Sequence, residues 1–252
     1  MKKQHVSDIK KIMSIKGEMI KFLPKIKHKI MNPFFKELPQ IFEDLKLEKD
    51  QLVLDIPCGR GGVSIPLAKK YKVKVIGYDI LIDYIKSARA FAQENKVSDL
   101  CAFEIKDIRS VVKERNIYDV LLWIAAPTIW KSAKETIHNL RKCVKNQGIV
   151  IIGDAYVYKP TNKYPDYKTL EETNRGHSFY GDTIIEIKDY KNKLWKEDYI
   201  NTKKPVYALL NKIKNLRDKN ILQRYLKHLD KEEKTDTKHL GLAIWIIRVN
   251  KS

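Results

Sequence analysis

Cysteine is scarce and scattered in this chain. Its 252 residues hold three, Cys58, Cys101 and Cys143, with no Cys-x-x-Cys pair. That spacing argues against a disulfide framework and a zinc site, so no metal is expected, and it fits a reducing, cytoplasmic setting. Long apolar runs are missing as well. None approaches the ~20 residues that a membrane span needs, and there is no signal-peptide pattern. No internal repeat or low-complexity segment is present. What remains is 43% hydrophobic, enough for a sizeable core. The length suits one large domain, or a domain with a cap.

Acidic charge is also in deficit. Lys and Arg total 50 against 31 Asp and Glu, a net charge of +19. Such a balance invites RNA as a partner. The lysines are spread over every segment, however, and greatly outnumber arginine. The charge therefore reads first as background composition, and second as an RNA footprint.

Gln51 to Ile56 forms a nearly continuous apolar run with one acid, Asp55, near its end. It reads as a short buried strand. Pro57 and Gly59 stop it, and Gly59-Arg60-Gly61-Gly62 opens a short amphipathic helix over Val63–Lys70. Pro66 is tolerated there in the first turn. A dinucleotide fingerprint would place a third glycine where Ser64 stands. The acid at the strand end suits a ligand carrying a cationic amine better than a pyrophosphate. That argues against a nicotinamide dehydrogenase. Val73 to Asp79 is a second strand ending in an acid, about 20 residues past the loop, where a carboxylate can hold ribose hydroxyls. Cys101–Ile105 is a third strand, followed by Asp107. Tyr118–Ile124 is a fourth and Ile149–Gly153 a fifth. Helices are expected over Leu81–Asn95, Ile108–Glu114 and Ser132–Lys145, with Gln147-Gly148 capping the last. One strand-end acid could equally serve a helix N-terminus. Three in succession behind one glycine loop point to a ligand at the carboxyl edge of a parallel sheet.

This constellation resembles the class I, Rossmann-like S-adenosylmethionine-dependent methyltransferases, most clearly over residues 45–155. The resemblance implies an α/β fold with a doubly wound, mostly parallel sheet and a last strand antiparallel beside the fifth. It assigns the cofactor S-adenosylmethionine to Asp55, Pro57, Gly59, Gly61, Asp79, Ile80, Asp107, Ile108 and Trp123. Gly59 and Gly61 would pass under the methionine portion, and Asp55 would help fix its ammonium. Asp79 would accept from the ribose hydroxyls, with Ile80 on the adenine face. Asp107 and the Ile108 N–H would meet the adenine edge.

The rest of the chain frames that core. Residues 1–47 carry apolar residues at helical spacing, including Phe35, Leu38, Ile41 and Phe42. They are expected as N-terminal helices, either a lid or packing against the sheet. Residues 48–252 are expected to form the methyltransferase domain that the resemblance implies. After the fourth strand there is no Asn/Asp-Pro-Pro-aromatic run of the nucleic-acid amino methyltransferases, and no cysteine loop for pyrimidine C5 attack. Trp123 and Trp130 fall here, and an aromatic face suits a cationic sulfonium. Past the fifth strand come Asp154 and Tyr156, then a short helix over Leu170–Asn174. The loop Arg175–Gly181 holds His177 and Tyr180. Asp154, His177 and Tyr156 are the candidate catalytic groups. Strands are expected over Thr183–Lys188 and Leu240–Arg248. Between them, about 191–238, lies a helical insertion read as three helices and a charged tail. Trp195 and Tyr199, at i and i+4, join Trp130 and Tyr180 as candidate substrate-pocket residues. The expected function is methyl transfer from S-adenosylmethionine to a small molecule. An RNA methyltransferase and a non-catalytic partner that keeps the fold are the alternatives.

Overall fold

The computed structural model describes Phe22 and residues 33–113, 115–126 and 128–251. The expected helices of residues 9–31 lie outside the described residues, apart from Phe22. The chain divides into two compact units.

The larger unit runs over Phe34–Lys191 and Leu240–Ser252. A 3-10 turn at Pro33–Lys36 leads into α1 (Leu38–Asp44), whose Leu38, Ile41 and Phe42 are buried. The sheet begins with β1 (Leu52–Asp55), followed by α2 (Ser64–Tyr71), β2 (Lys74–Asp79), α3 (Ile82–Glu94) and β3 (Cys101–Ile105). Next come α4 (Ile108–Val111), β4 (Tyr118–Ile124), α5 (Ala133–Cys143) and β5 (Val144–Val157). Then α6 (Leu170–His177), β6 (Thr183–Lys191) and, after the second unit, β7 (Leu240–Arg248) complete it. The strand order is β3-β2-β1-β4-β5-β7-β6. β1 to β5 pair in parallel, and β7 runs antiparallel between β5 and β6. This is the doubly wound, mostly parallel sheet expected from the strand–helix alternation. Successive crossovers reverse direction between β1 and β4, which opens a crevice at the carboxyl edge there.

Burial explains the strand composition. β7 is covered on both faces, and every residue but Arg248 is buried. That is why it reads as Leu-Gly-Leu-Ala-Ile-Trp-Ile-Ile. Its Trp245 joins Leu121, Trp123, Ile137, Leu140 and Ile152 in one buried apolar cluster.

Among the boundaries that differ from expectation, two have a clear local cause. Gly148 does not cap α5. The helix ends at Cys143, and β5 starts at once, with Val144 opposite Tyr118 and a register shift before Val120. A Cβ on Gly148 would lie 2.8 Å from the Asp119 carbonyl oxygen, so the glycine permits a close backbone approach inside a bulged strand. The second is α6, which runs on to His177. Thr169 and Glu172 form a reciprocal capping box at its start.

Among the described residues of the second unit, 192–239 form two helices, α7 (Lys193–Leu210) and α8 (Leu216–His239), where three helices and a tail were expected. Pro205 sits inside α7, so the proline that suggests a break is absorbed. The charged stretch 231–238 is helical because its acids have partners. Lys203 donates to Asp230 at 2.8 Å and also bonds Glu233, and the Tyr199 hydroxyl donates to Asp236 at 2.7 Å. An apolar stripe of Ile221, Leu222 and Leu226 on α8 packs with Val206 and Phe22.

Candidate functional site

The carboxyl edge of β1 holds a buried acid on a serine. Asp55 is 2% exposed, and its Oδ2 accepts a hydrogen bond from Ser64 Oγ at 2.5 Å. Burial pushes its pKa up to about 7; the Ser64 bond opposes this and the Asp79 charge adds to it. Ser64 thus replaces a third glycine for a reason, because it supplies the donor that lets Asp55 sit inside. The chain then turns through a cis Ile56–Pro57 peptide. Gly59 and Gly61 follow at φ +53° and +76°, left-handed conformations that favour glycine. A Cβ on Gly61 would lie 2.7 Å from Ile65 Cδ1, whereas one on Gly59 would meet nothing within 4 Å. The loop therefore exposes bare backbone at Gly59. Cys58 is packed there beneath Gly77, and burial raises its thiol pKa above the ordinary range, which fits a packing role.

Asp79 ties the loop to the second strand. Its Oδ2 accepts from the Gly59 N–H at 3.0 Å and its Oδ1 from the Leu81 N–H at 2.9 Å. Each oxygen keeps a further lone pair for a ligand hydroxyl. Beside it Ile80 is 65% exposed, a flat apolar surface at a polar edge. Asp107 caps α4 and is clamped by Arg109, whose guanidinium nitrogens lie 2.6–3.1 Å from its oxygens. The Arg109 side chain, then its backbone N–H, holds the Asp107 pKa down at about 2. The pair is exposed to solvent, where an ion pair contributes little stability. Ile108 is buried beneath it.

Two residues of the leading segment, which was read as a lid or as packing against the sheet, lie on this edge. The Phe35 ring lies over Gly62, within 2.6 Å of where a Cβ would be, and Phe34 packs on Gly153 at the end of β5. Their signal is the Pro-Phe-Phe turn, which reads in sequence as part of an ordinary amphipathic helix.

A second feature lies along the same edge, at β4 and β5. Trp123 and Trp130 face each other with centroids 5.1 Å apart. With Asp154, Thr173 and His177 they line a cavity of about 60 Å³. Asp154 is half-buried; its carboxyl accepts from the Ala155 N–H at 2.7 Å, and burial raises its pKa to about 7. His177 departs from the edge loop expected for it. It ends α6, is 2% exposed, and lies edge-on to Trp245 at 5.2 Å. The reason is Gly176, whose missing side chain lets α6 approach α5; a Cβ there would lie 2.7 Å from that of Ala133. Its glycine is a packing feature, not a loop signal. Burial lowers the His177 pKa to about 3, and its Nδ1 has no hydrogen-bond partner among the described residues.

The structure separates the other candidates from this pair. Tyr156 is buried, and its ring crosses Gly241 of β7 so that its hydroxyl donates to Asp189 of the edge strand β6 at 2.7 Å; it is engaged in the sheet. Burial and Asp189 raise its pKa. Tyr180 packs at a tilt against His138 of α5, with centroids 5.0 Å apart, away from the cavity lining. Trp195 and Tyr199 stack at 6.2 Å on one face of α7, in the helical unit.

A parallel sheet with a glycine loop, three strand-end acids and an antiparallel seventh strand defines the class I methyltransferase fold. The chain matches a family described as a methyltransferase domain over residues 47–227, and it belongs to that family. S-adenosylmethionine is the methyl donor of this class. Among curated relatives, phosphoethanolamine N-methyltransferase of Triticum aestivum is 35% identical over 127 residues, 49% of this chain and 24% of that one. A 23S rRNA (uracil(1939)-C(5))-methyltransferase of Haemophilus parainfluenzae is 39% identical over 56 residues, 22% of this chain and 13% of that one. The chain thus spans about a quarter or less of the curated relatives it matches. Among solved structures, a methyltransferase of Geobacter sulfurreducens in complex with S-adenosylhomocysteine superposes with a TM-score of 0.72. It is 20% identical, over 87% of this chain and 93% of that one.

Proposed function

We propose that this protein transfers the methyl group of S-adenosylmethionine to a small-molecule acceptor. The observation that carries the reading is the pairing of two features on one sheet edge. One is the glycine loop hydrogen-bonded directly to Asp79; the other is the acid–aromatic cavity at β4 and β5.

The residues fit the donor's chemistry. Gly59 leaves open space, Ile80 offers an apolar face, Asp79 retains lone pairs for hydroxyls, and Asp55 sits where an ammonium would draw it into its ionised form. Bound there, the donor supplies a methyl group on an activated sulfonium leaving group. The protein then has to align the acceptor and keep water away. Phe34 and Phe35 do the second from above the loop. At about 60 Å³ the cavity suits a functional group of a metabolite and not a nucleobase, which favours a small acceptor over RNA. The net charge of +19 and the short rRNA-methyltransferase match support the second reading.

The test is transfer of radiolabelled methyl from S-adenosylmethionine into a metabolite extract and into total RNA, each at low and high salt. Salt-insensitive label in the metabolite fraction is expected. Label confined to RNA would replace this reading with the RNA one.

A further inference from the structure

The cavity at the end of β5 is built for a cation. Asp154 is a half-buried carboxylate whose one hydrogen-bond partner among the described residues is its neighbour's backbone N–H. His177 presents a buried Nδ1 that no described group satisfies. Buried polar atoms are normally paired, and each unpaired one costs free energy. Two indole faces complete the lining, and indole attracts cations best among the aromatic rings. The hydroxyls of Thr136 and Thr173 add acceptors, while at the rim the exposed Asp166 and Lys168 offset each other. The volume of about 60 Å³ leaves room for about four to six water-sized groups. One group satisfies all of these together: an ammonium donates to a carboxylate and to a neutral imidazole while its methyl or methylene groups rest on indole.

We propose that this cavity binds the amine of the acceptor as a small ammonium, between the Asp154 carboxylate and the His177 Nδ1 lone pair, against Trp123 and Trp130. This rests on the methyltransferase reading and names the acceptor's class as an amine. It requires His177 to be neutral, with its proton on Nε2. Burial of the ring keeps it neutral. Asp154 accepts one N–H proton, which frees the nitrogen lone pair. That pair forms the new N–C bond as the sulfonium C–S bond breaks, and the electrons of the broken bond stay on sulfur. Asp154 is then the proton acceptor, and His177 positions the nitrogen.

The experiment follows the His177 imidazole nitrogens by NMR in the full chain. Ethanolamine is titrated against ethylene glycol, its uncharged counterpart, and S-adenosylhomocysteine binding is measured on the same sample. Ethanolamine alone should shift the Nδ1 signal, and Asp154→Asn, which preserves side-chain volume, should weaken that binding by about tenfold or more. Equal shifts with both ligands, no shift, or a proton resident on Nδ1 would each overturn the proposal. The wild-type comparison decides alone if the variant fails to fold. S-adenosylhomocysteine binding without ethanolamine binding removes the amine and leaves the methyltransferase reading standing. Failure of S-adenosylhomocysteine to bind removes that reading.

Discussion

In the proposed site, Asp55 would couple cofactor binding to protons. Its pKa stands at about 7, against an ordinary 3.8, because burial outweighs the Ser64 hydrogen bond. Between those values the folded chain keeps a proton that the unfolded chain has lost. Stability from this group is full below about pH 4 and falls as pH rises through 7. Asp154 behaves alike, and His177, neutral when folded, opposes one of the two below about pH 6.5. Urea unfolding of the ligand-free protein across this range should therefore show a downward slope from Asp55, and Asp55→Asn should flatten it. An ammonium beside Asp55 reverses the preference. Binding of S-adenosylhomocysteine near neutral pH should release a proton, visible as a calorimetric enthalpy that depends on the buffer's ionisation heat. An enthalpy identical in all buffers would remove Asp55 from the ammonium site. At this scale the acids were readable in the sequence only as a set, since one strand-end carboxylate can serve a helix N-terminus, as Asp107 does, whereas three behind one glycine loop point to a ligand. Their partners were not. The Ser64 hydroxyl on Asp55 and the Arg109 clamp on Asp107 depend on where the turn aims a side chain.

Elements succeed or fail on packing that periodicity does not contain. The strands were legible because β4, β5 and β7 are apolar on both faces. His177 was misplaced because glycine usually signals a loop, whereas Gly176 here lets two helices touch. Gly176→Ala should push α6 from α5 and cost about 1–3 kcal/mol by overpacking, read as a lowered urea midpoint at unchanged slope. An unchanged midpoint would mean that the contact relaxes freely. The second unit was misdivided for an electrostatic reason. A run such as Lys-Glu-Glu-Lys-Thr-Asp reads as a solvated tail until a partner helix supplies Lys203 and Tyr199. Lys203 is 15% exposed between Asp230 and Glu233. Lys203→Met leaves two partly buried acids facing each other, and a loss of about 1–3 kcal/mol in the stability of the α7–α8 pair is expected. Hydrogen exchange in α7 and α8 reports it, and unaltered protection there would show the ion pairs to be idle.

For the whole molecule, composition bounded the answer and topology decided it. A net charge of +19 predicts weak, sequence-independent RNA association, lost between about 50 and 200 mM salt. Methyl transfer to a small acceptor should persist over the same range. The sheet order was foreseeable from strand–helix alternation and the resemblance of the glycine loop, whereas the cavity beside β5 emerges only when distant segments meet: Trp130, Asp154 and His177. Calorimetric titration with S-adenosylhomocysteine, using NAD as control and Asp79→Asn as the variant, tests the central claim most directly. Micromolar binding of the first, none of NAD, and a loss of about tenfold or more in the variant are predicted. No binding of S-adenosylhomocysteine, or equal binding by Asp79→Asn, would contradict the site described at this sheet edge.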